Sequence, residues 1–346
     1  MIECNAKIFA TNNFRLQSGE ILPKLEVAYE TYGSPSNAKE NTILLLHGYT
    51  SSPHAAGGDD SNPGWWKNLI GPGRAIDTDH HFVVTPNMLG SAYGTTGPRS
   101  IDPMSGKPYG PNFPDITTQD IIKTHKLLLE HLGAGGQLAA VVGYSYGGYL
   151  TFQWGVTYPN RMRALVPVAT GITGRGDEST VRELALHFER AAGWNNGHYY
   201  DGGKHVEDAL VSFRSNILRN YGVVTQLKDQ GLSDEASEAE LHRQAATWAT
   251  EFDANSLIIL RRCATKFDAK ADTAKISAPV LYILSKTDTL FGPELGEPTV
   301  SHIRELAGVV ARYFELDSPF GHRAPSVDWP KWQEALKEFL DEFATS

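Results

Sequence analysis

Cysteine is almost missing from this chain. Cys4 and Cys263 are the only two among 346 residues. Thiols so far apart in sequence build neither a disulfide framework nor a metal knuckle, so reduced cysteines in a cytoplasmic protein are expected, with no metal site. Basic clusters are missing as well. The chain has 31 Lys and Arg against 40 Asp and Glu, a net charge of −9, and no Lys/Arg-rich run. That balance argues against nucleic acid as a partner. No uncharged apolar stretch reaches membrane-spanning length, so no membrane partner is expected either. The opening residues Met1-Ile2-Glu3-Cys4-Asn5-Ala6-Lys7 lack the basic region and apolar core of a signal peptide. Internal repeats and low-complexity tracts are also absent.

What the chain does contain is enough apolar material for a large core: 41% of residues are hydrophobic and 21% charged. Strand-like and helix-like runs alternate. Lys7–Arg15 and Leu25–Tyr32 read as an antiparallel opening pair. Thr42–Leu46, Phe82–Thr85, Leu138–Val142, Ala164–Ala169, Pro279–Leu284 and Ala311–Leu316 read as buried strands. Gln119–Leu132 carries apolar residues at helical spacing, with Gly133 as a stop, and Trp329–Phe343 reads as a closing amphipathic helix. This alternation predicts a mostly parallel, eight-stranded α/β sheet flanked by helices. One segment breaks the rhythm. Residues 174–275 show only helix-like runs: Glu178–Ala192, Val206–Tyr221, Asp234–Thr250 and Asn255–Phe267. The expected organisation is a core over 1–173 and 276–346, with a helical lid over 174–275 inserted above the catalytic edge of the sheet.

Chemistry concentrates at Gly143-Tyr144-Ser145-Tyr146-Gly147. An apolar run enters this G-x-S-x-G and a helix-compatible run leaves it, the strand–turn–helix setting of a nucleophile elbow. A serine at neutral pH needs a base, and the base needs an orienting carboxylate. Asp288 follows the strand Pro279–Leu284, and His322 follows Ala311–Leu316 in Phe320-Gly321-His322. Ser145, Asp288 and His322 are thus the candidate catalytic residues, in the chain order of the α/β-hydrolases, which is the expected fold. Asp317 is the rival acid. His302 is the rival base, but it sits in a helix-like stretch.

A tetrahedral intermediate needs two amide donors. The N–H of Tyr146, directly after the serine, is one candidate. The other is Tyr49, in the loop His47-Gly48-Tyr49-Thr50 after the strand Thr42–Leu46. His47 is expected to orient that loop by hydrogen bonding. The glycine-rich stretch 90–97 matches no nucleotide-binding pattern and is expected to shape the pocket mouth. Trp65-Trp66 is expected to pack, with one ring free to wall the pocket. His80-His81 is poorly arranged to chelate one metal, because adjacent strand residues point to opposite faces.

Long collinear stretches make the chain resemble the homoserine O-acetyltransferase family. They include Gly64-Trp65-Trp66-Lys67-Asn68-Leu69-Ile70-Gly71-Pro72-Gly73, Pro86-Asn87-Met88-Leu89-Gly90, Trp194-Asn195-Asn196-Gly197-His198-Tyr199 and Phe252-Asp253-Ala254-Asn255-Ser256-Leu257. The resemblance implies a lid often used in dimerisation, hence an expected homodimer, and ping-pong chemistry through an acyl-enzyme. It also implies that Arg214 is the counterpart of a lid arginine that binds the homoserine carboxylate. Three departures surround the acceptor site, one of them Tyr146 and Tyr149 at the elbow, where the transferases tend to have Met. The family usually carries Asp directly after the catalytic histidine, where this chain has Arg323. The oxyanion loop reads His47-Gly48-Tyr49-Thr50-Ser51 rather than H-A-L-T-G. A cation at 323 repels an ammonium. The expected function is therefore a serine esterase of short acyl esters, acetyl esters above all, acting on a small-molecule substrate without a cofactor. The alternative is an O-acetyltransferase that takes acetyl-CoA as co-substrate and homoserine or another small hydroxyl as acceptor.

Overall fold

The computed structural model describes residues 6–37, 41–58, 63–201 and 204–345. Cys4 lies outside the described residues. Eight strands form one sheet: β1 (Lys7–Arg15), β2 (Ile21–Tyr32), β3 (Thr42–Leu46), β4 (Phe82–Pro86), β5 (Ala140–Tyr144), β6 (Leu165–Val168), β7 (Val280–Ser285) and β8 (Ala311–Leu316). Their spatial order is β1-β2-β4-β3-β5-β6-β7-β8. The β1–β2 and β2–β4 pairs are antiparallel, and every other pair is parallel.

The strands β3, β4, β6 and β7 are buried at every position because helices cover both faces. Within β3, Ile43 and Leu45 join one core layer and Leu44 and Leu46 the other. α1 (Thr118–His131) and α2 (Tyr146–Thr157) cover one face, and α9 (Gln333–Phe343) covers the opposite one. A capping box opens α1: Asp120 N donates to Thr117 Oγ1 at 3.2 Å and Thr117 N to Asp120 Oδ2 at 2.9 Å. Gly133, at φ 72°, ends it. Between β6 and β7 the chain forms α3 (Glu178–Glu189), α4 (Lys204–Asn220), α5 (Val223–Asp229), α6 (Asp234–Ala249) and α7 (Ala254–Thr265). α8 (Gly296–Ala307) joins β7 to β8.

Three local readings shift. β5 starts at Ala140, not Leu138, and runs on to Tyr144; Leu138 makes only an isolated bridge with Met162. The closing helix is broken: Trp329–Lys331 is a separate turn, and the Trp332 indole N–H donates to Pro325 O at 3.0 Å. α5 went unread because seven residues give periodicity too little length to register. No helix among the described residues is long and apolar enough to cross a membrane.

Candidate active site

Ser145 sits between the end of β5 and the first residue of α2 with φ 58° and ψ −116°. This is a region L-residues rarely occupy, and it needs close packing to hold it. Its flanking glycines supply that packing. A Cβ on Gly143 would lie 2.1 Å from Gly147 O, and one on Gly147 would lie 2.1 Å from Leu46 O. The Ser145 amide is tied to β6 by a 2.9 Å bond to Val168 O. The motif is thus glycine-flanked because strand and helix touch backbone to backbone.

His322 reaches the serine from the loop after β8. Its Nε2 lies 2.9 Å from Ser145 Oγ, and its Nδ1 lies 2.7 Å from Asp288 Oδ2. With the ring proton on Nδ1, the imidazole donates to Asp288 and accepts from the serine hydroxyl. Asp288 Oδ1 accepts from the Leu290 amide at 2.8 Å. The Asp288 and His322 side chains are almost wholly buried. Thr287 stitches their two loops together: its hydroxyl donates to Ser318 O at 2.7 Å and accepts from Gly321 N at 3.0 Å. Tyr144 OH donates to His322 O at 2.5 Å, and the Tyr144 and Tyr221 rings pack on the imidazole at 5.3 and 4.7 Å between centroids. The rivals lie elsewhere. Asp317 is exposed and sits 3.5 Å from Lys286 Nζ. His302 projects from α8 with its Nε2 3.5 Å from Lys270 O.

Tyr146 heads α2, so its N–H has no partner in the preceding helical turn. Neither that amide nor the Tyr49 amide donates to an acceptor among the described residues. Gly48 lies against the serine; a Cβ there would stand 3.5 Å from Ser145 Cβ. Beneath the loop, His47 Nε2 lies 3.0 Å from Asn87 Oδ1, and Asn87 Nδ2 donates to Ala92 O at 2.5 Å. Burial pulls the His47 pKa down to about 4. The phenol groups of the same two tyrosines reach upward. Tyr49 OH donates to Leu257 O and Tyr146 OH to Leu260 O, both on α7.

Ser145 opens into two chambers. The larger, about 520 Å³, holds Trp65, Tyr144, Arg214, Tyr221, His322 and Arg323 in its walls. The smaller, about 170 Å³, is walled by Tyr146, Tyr149, Tyr221, Arg261, Leu290 and Phe291. Tyr221 and Tyr49 belong to both. Arg214 Nη1 donates to Thr50 Oγ1, and its guanidinium lies 5.0 Å from the Trp248 ring centre. A larger cavity of about 700 Å³, between α3 and α7, is lined without any of these residues. The 90–97 stretch lines neither chamber. It braces β2 instead, with Thr96 N donating to Glu26 O at 2.8 Å and Thr95 Oγ1 accepting from Ala28 N at 2.9 Å. Trp66 is buried in the core and Trp65 is half-buried, and both contribute to the wall of the larger chamber. Cys263 is buried and free, and burial pushes its thiol up to about 12, so it is not a nucleophile. Among the described residues, no group of three or more His, Cys, Asp or Glu is placed to hold a metal.

Sequence reasoning missed Tyr221, Arg261 and Thr287. A signal existed for Tyr221: Arg214, Ile217, Leu218 and Tyr221 recur at i, i+3, i+4 and i+7, one helical face.

Strand order, elbow and strand-end loops define an α/β-hydrolase. Residues 41–323 match the family described as the alpha/beta hydrolase fold, and the chain belongs to it. Within that fold the chain belongs to the homoserine O-acetyltransferase family. It is 36% identical to the homoserine O-acetyltransferase of Moorella thermoacetica, over 94% of this chain and 93% of that one. Among solved structures, the homoserine O-acetyltransferase of Bacillus anthracis superposes with a TM-score of 0.86 at 26% identity, covering 99% of both chains. Esterase E22 superposes with a TM-score of 0.85 at 28% identity, covering 98% of this chain and 100% of that one. The chain is an enzyme of acyl transfer.

Proposed function

We propose that the chain hydrolyses short-chain acyl esters, acetyl esters above all, through an acyl-enzyme on Ser145. His322 takes the serine proton as Oγ attacks the ester carbonyl. The Tyr49 and Tyr146 amides hold the oxyanion, and His322 passes its proton to the departing alkoxide. A water then enters, loses a proton to His322 and adds to the acyl carbon; the Ser145 Oγ–acyl bond breaks as His322 returns that proton to Oγ, and the acid is released. Asp288 keeps the imidazole in the required tautomer and balances its transient charge. Residues 174–275 act as the lid. The observation that carries this reading is the Ser145–His322–Asp288 line at 2.9 and 2.7 Å. The small aromatic chamber, about 170 Å³, suits a short acyl group. Water is favoured as acceptor because Arg323 stands beside His322 and repels an amino-acid ammonium.

A second reading is acetyl transfer from acetyl-CoA to homoserine or another small hydroxyl. The name borne by a relative 36% identical over nearly the whole chain favours it. Acyl-enzyme partitioning separates the two. Hydrolysis of 4-nitrophenyl acetate with no acceptor present supports the esterase. Turnover of acetyl-CoA only when an alcohol is added supports the transferase.

A further inference from the structure

The chain is acidic overall, yet the described walls of both chambers at Ser145 contain five cations, Lys67, Arg175, Arg214, Arg261 and Arg323, and no Asp or Glu. Three of these cations, Lys67, Arg214 and Arg323, share the larger chamber with the reacting atoms, and among the described residues Arg214 and Arg323 have no carboxylate within ion-pair distance. Arg214 is partly buried; among the described residues its Nε is fully buried without a partner and its side chain donates only to the neutral Thr50 hydroxyl. Arg323 is also partly buried, and among the described residues its side chain has neither a hydrogen-bond acceptor nor a carboxylate within ion-pair distance. Burial lowers the pKa of both, to about 10 for Arg214, and each feels the charge of its surroundings: Arg323 further lowers Arg214. Desolvated charges are normally paired, and like charges gathered in one chamber add to that cost. A guanidinium left open in this way fits a carboxylate through two parallel hydrogen bonds.

We propose that the larger chamber takes the alcohol half of the ester, and that this half is a small hydroxy acid with two carboxylates and no amine. One carboxylate meets Arg214, the role the family resemblance already implies, and the second, which is the new element, meets Arg323. This rests on the ester-cleaving reading above and names its substrate class. One carboxylate alone leaves a buried cation unpaired. An amino acid brings an ammonium toward two cations. A dianion neutralises both. The chemistry balances as ester plus water: the acyl C–O bond breaks, the alkoxide oxygen receives the serine proton through His322, and water supplies the oxygen and protons that release acid and regenerate Ser145. The acidic exterior keeps anions away in general, while the cationic chamber focuses them at the serine.

The test compares acetate release from O-acetylmalate (two carboxylates), O-acetyllactate (one), O-acetylhomoserine (one, plus an ammonium) and neutral ethyl acetate. In the unaltered protein, kcat/KM for O-acetylmalate should exceed that for O-acetyllactate by about 30-fold. In Arg323→Gln that ratio should collapse toward one, and in Arg323→Lys it should be partly kept. Arg323→Asp should shift preference toward O-acetylhomoserine. Each ratio is internal to one protein sample, so partial misfolding cannot mimic the result. Equal rates on O-acetylmalate and ethyl acetate, with 4-nitrophenyl acetate still cleaved, would overturn the dianion inference and leave the esterase reading standing. Failure on every ester, with no fluorophosphonate labelling of Ser145, would overturn both. Acetyl-CoA turnover that needs malate would keep the dianion site and move the enzyme to the transferase reading.

Discussion

Floor and roof of this site are built differently. Every floor group sits at the end of a strand: Ser145 after β5, Asp288 after β7, His322 after β8, and the Tyr49 loop after β3. Each is tied by bonds to a neighbouring loop or strand. The roof residues Arg214, Tyr221 and Arg261 lie on or directly after helices, held by ring contacts and few hydrogen bonds. The floor resembles a machined part, because sheet geometry fixes strand ends to within a small tolerance. The roof is shaped by how helices cross. Floor changes should therefore scale all ester substrates down together, and roof changes should alter the ratio between them.

The largest effect belongs to the floor. Ser145→Ala should lower kcat on 4-nitrophenyl acetate on the order of 10⁶-fold, with an unchanged melting transition. Retained turnover would move the nucleophile elsewhere. Asp288→Asn should cost about 10⁴-fold by fixing the wrong tautomer. Asp317→Asn, at an exposed ion pair, should stay within assay error, and a reversal of these two would hand the orienting role to Asp317. A smaller floor effect concerns acid. The pKa of His47 falls from 6.5 to about 4 in the folded chain, so the neutral ring is the native form. Stability is then full above pH 6.5 and falls as pH drops toward 4, by roughly 3 kcal/mol for this group. Circular dichroism across that range should show a flatter loss in His47→Gln; an unaltered profile would point to the buried His125, pulled down to about 3.

The smallest effect tests the roof. Tyr221 separates the two chambers, so Tyr221→Ala should join them and raise the butyryl-to-acetyl ratio of kcat/KM by about tenfold. Loss of all turnover instead would place Tyr221 on the floor side of the comparison, through its packing on His322.

The same division explains what the sequence disclosed. The antiparallel opening pair, the buried strands and the elbow were legible because their periodicity and their glycines are local signals. That Ser145, Asp288 and His322 would meet was legible because each follows a strand, in the chain order of the α/β-hydrolase sheet. The 90–97 glycines were misread because a glycine-rich loop after a strand looks alike whether it borders a pocket or hugs a neighbouring strand. Arg261 lies in a helix whose periodicity shows a buried face, but not that an arginine on its flank overhangs a serine 116 positions earlier. Helix crossing is a tertiary property, and one helix's pattern does not encode it.

Tyr49 and Tyr146 each lead a double life. Both residues line the chamber at Ser145, while their phenol groups hook carbonyls one helical turn apart on α7. The cradle and the overhead helix are consequently one mechanical unit. Warming that loosens Ala254–Thr265 should therefore slacken the Tyr49 and Tyr146 segments before the sheet itself gives way. Turnover should then be lost below the global melting temperature, and the interval between those two temperatures would gauge how firmly the hooks grip.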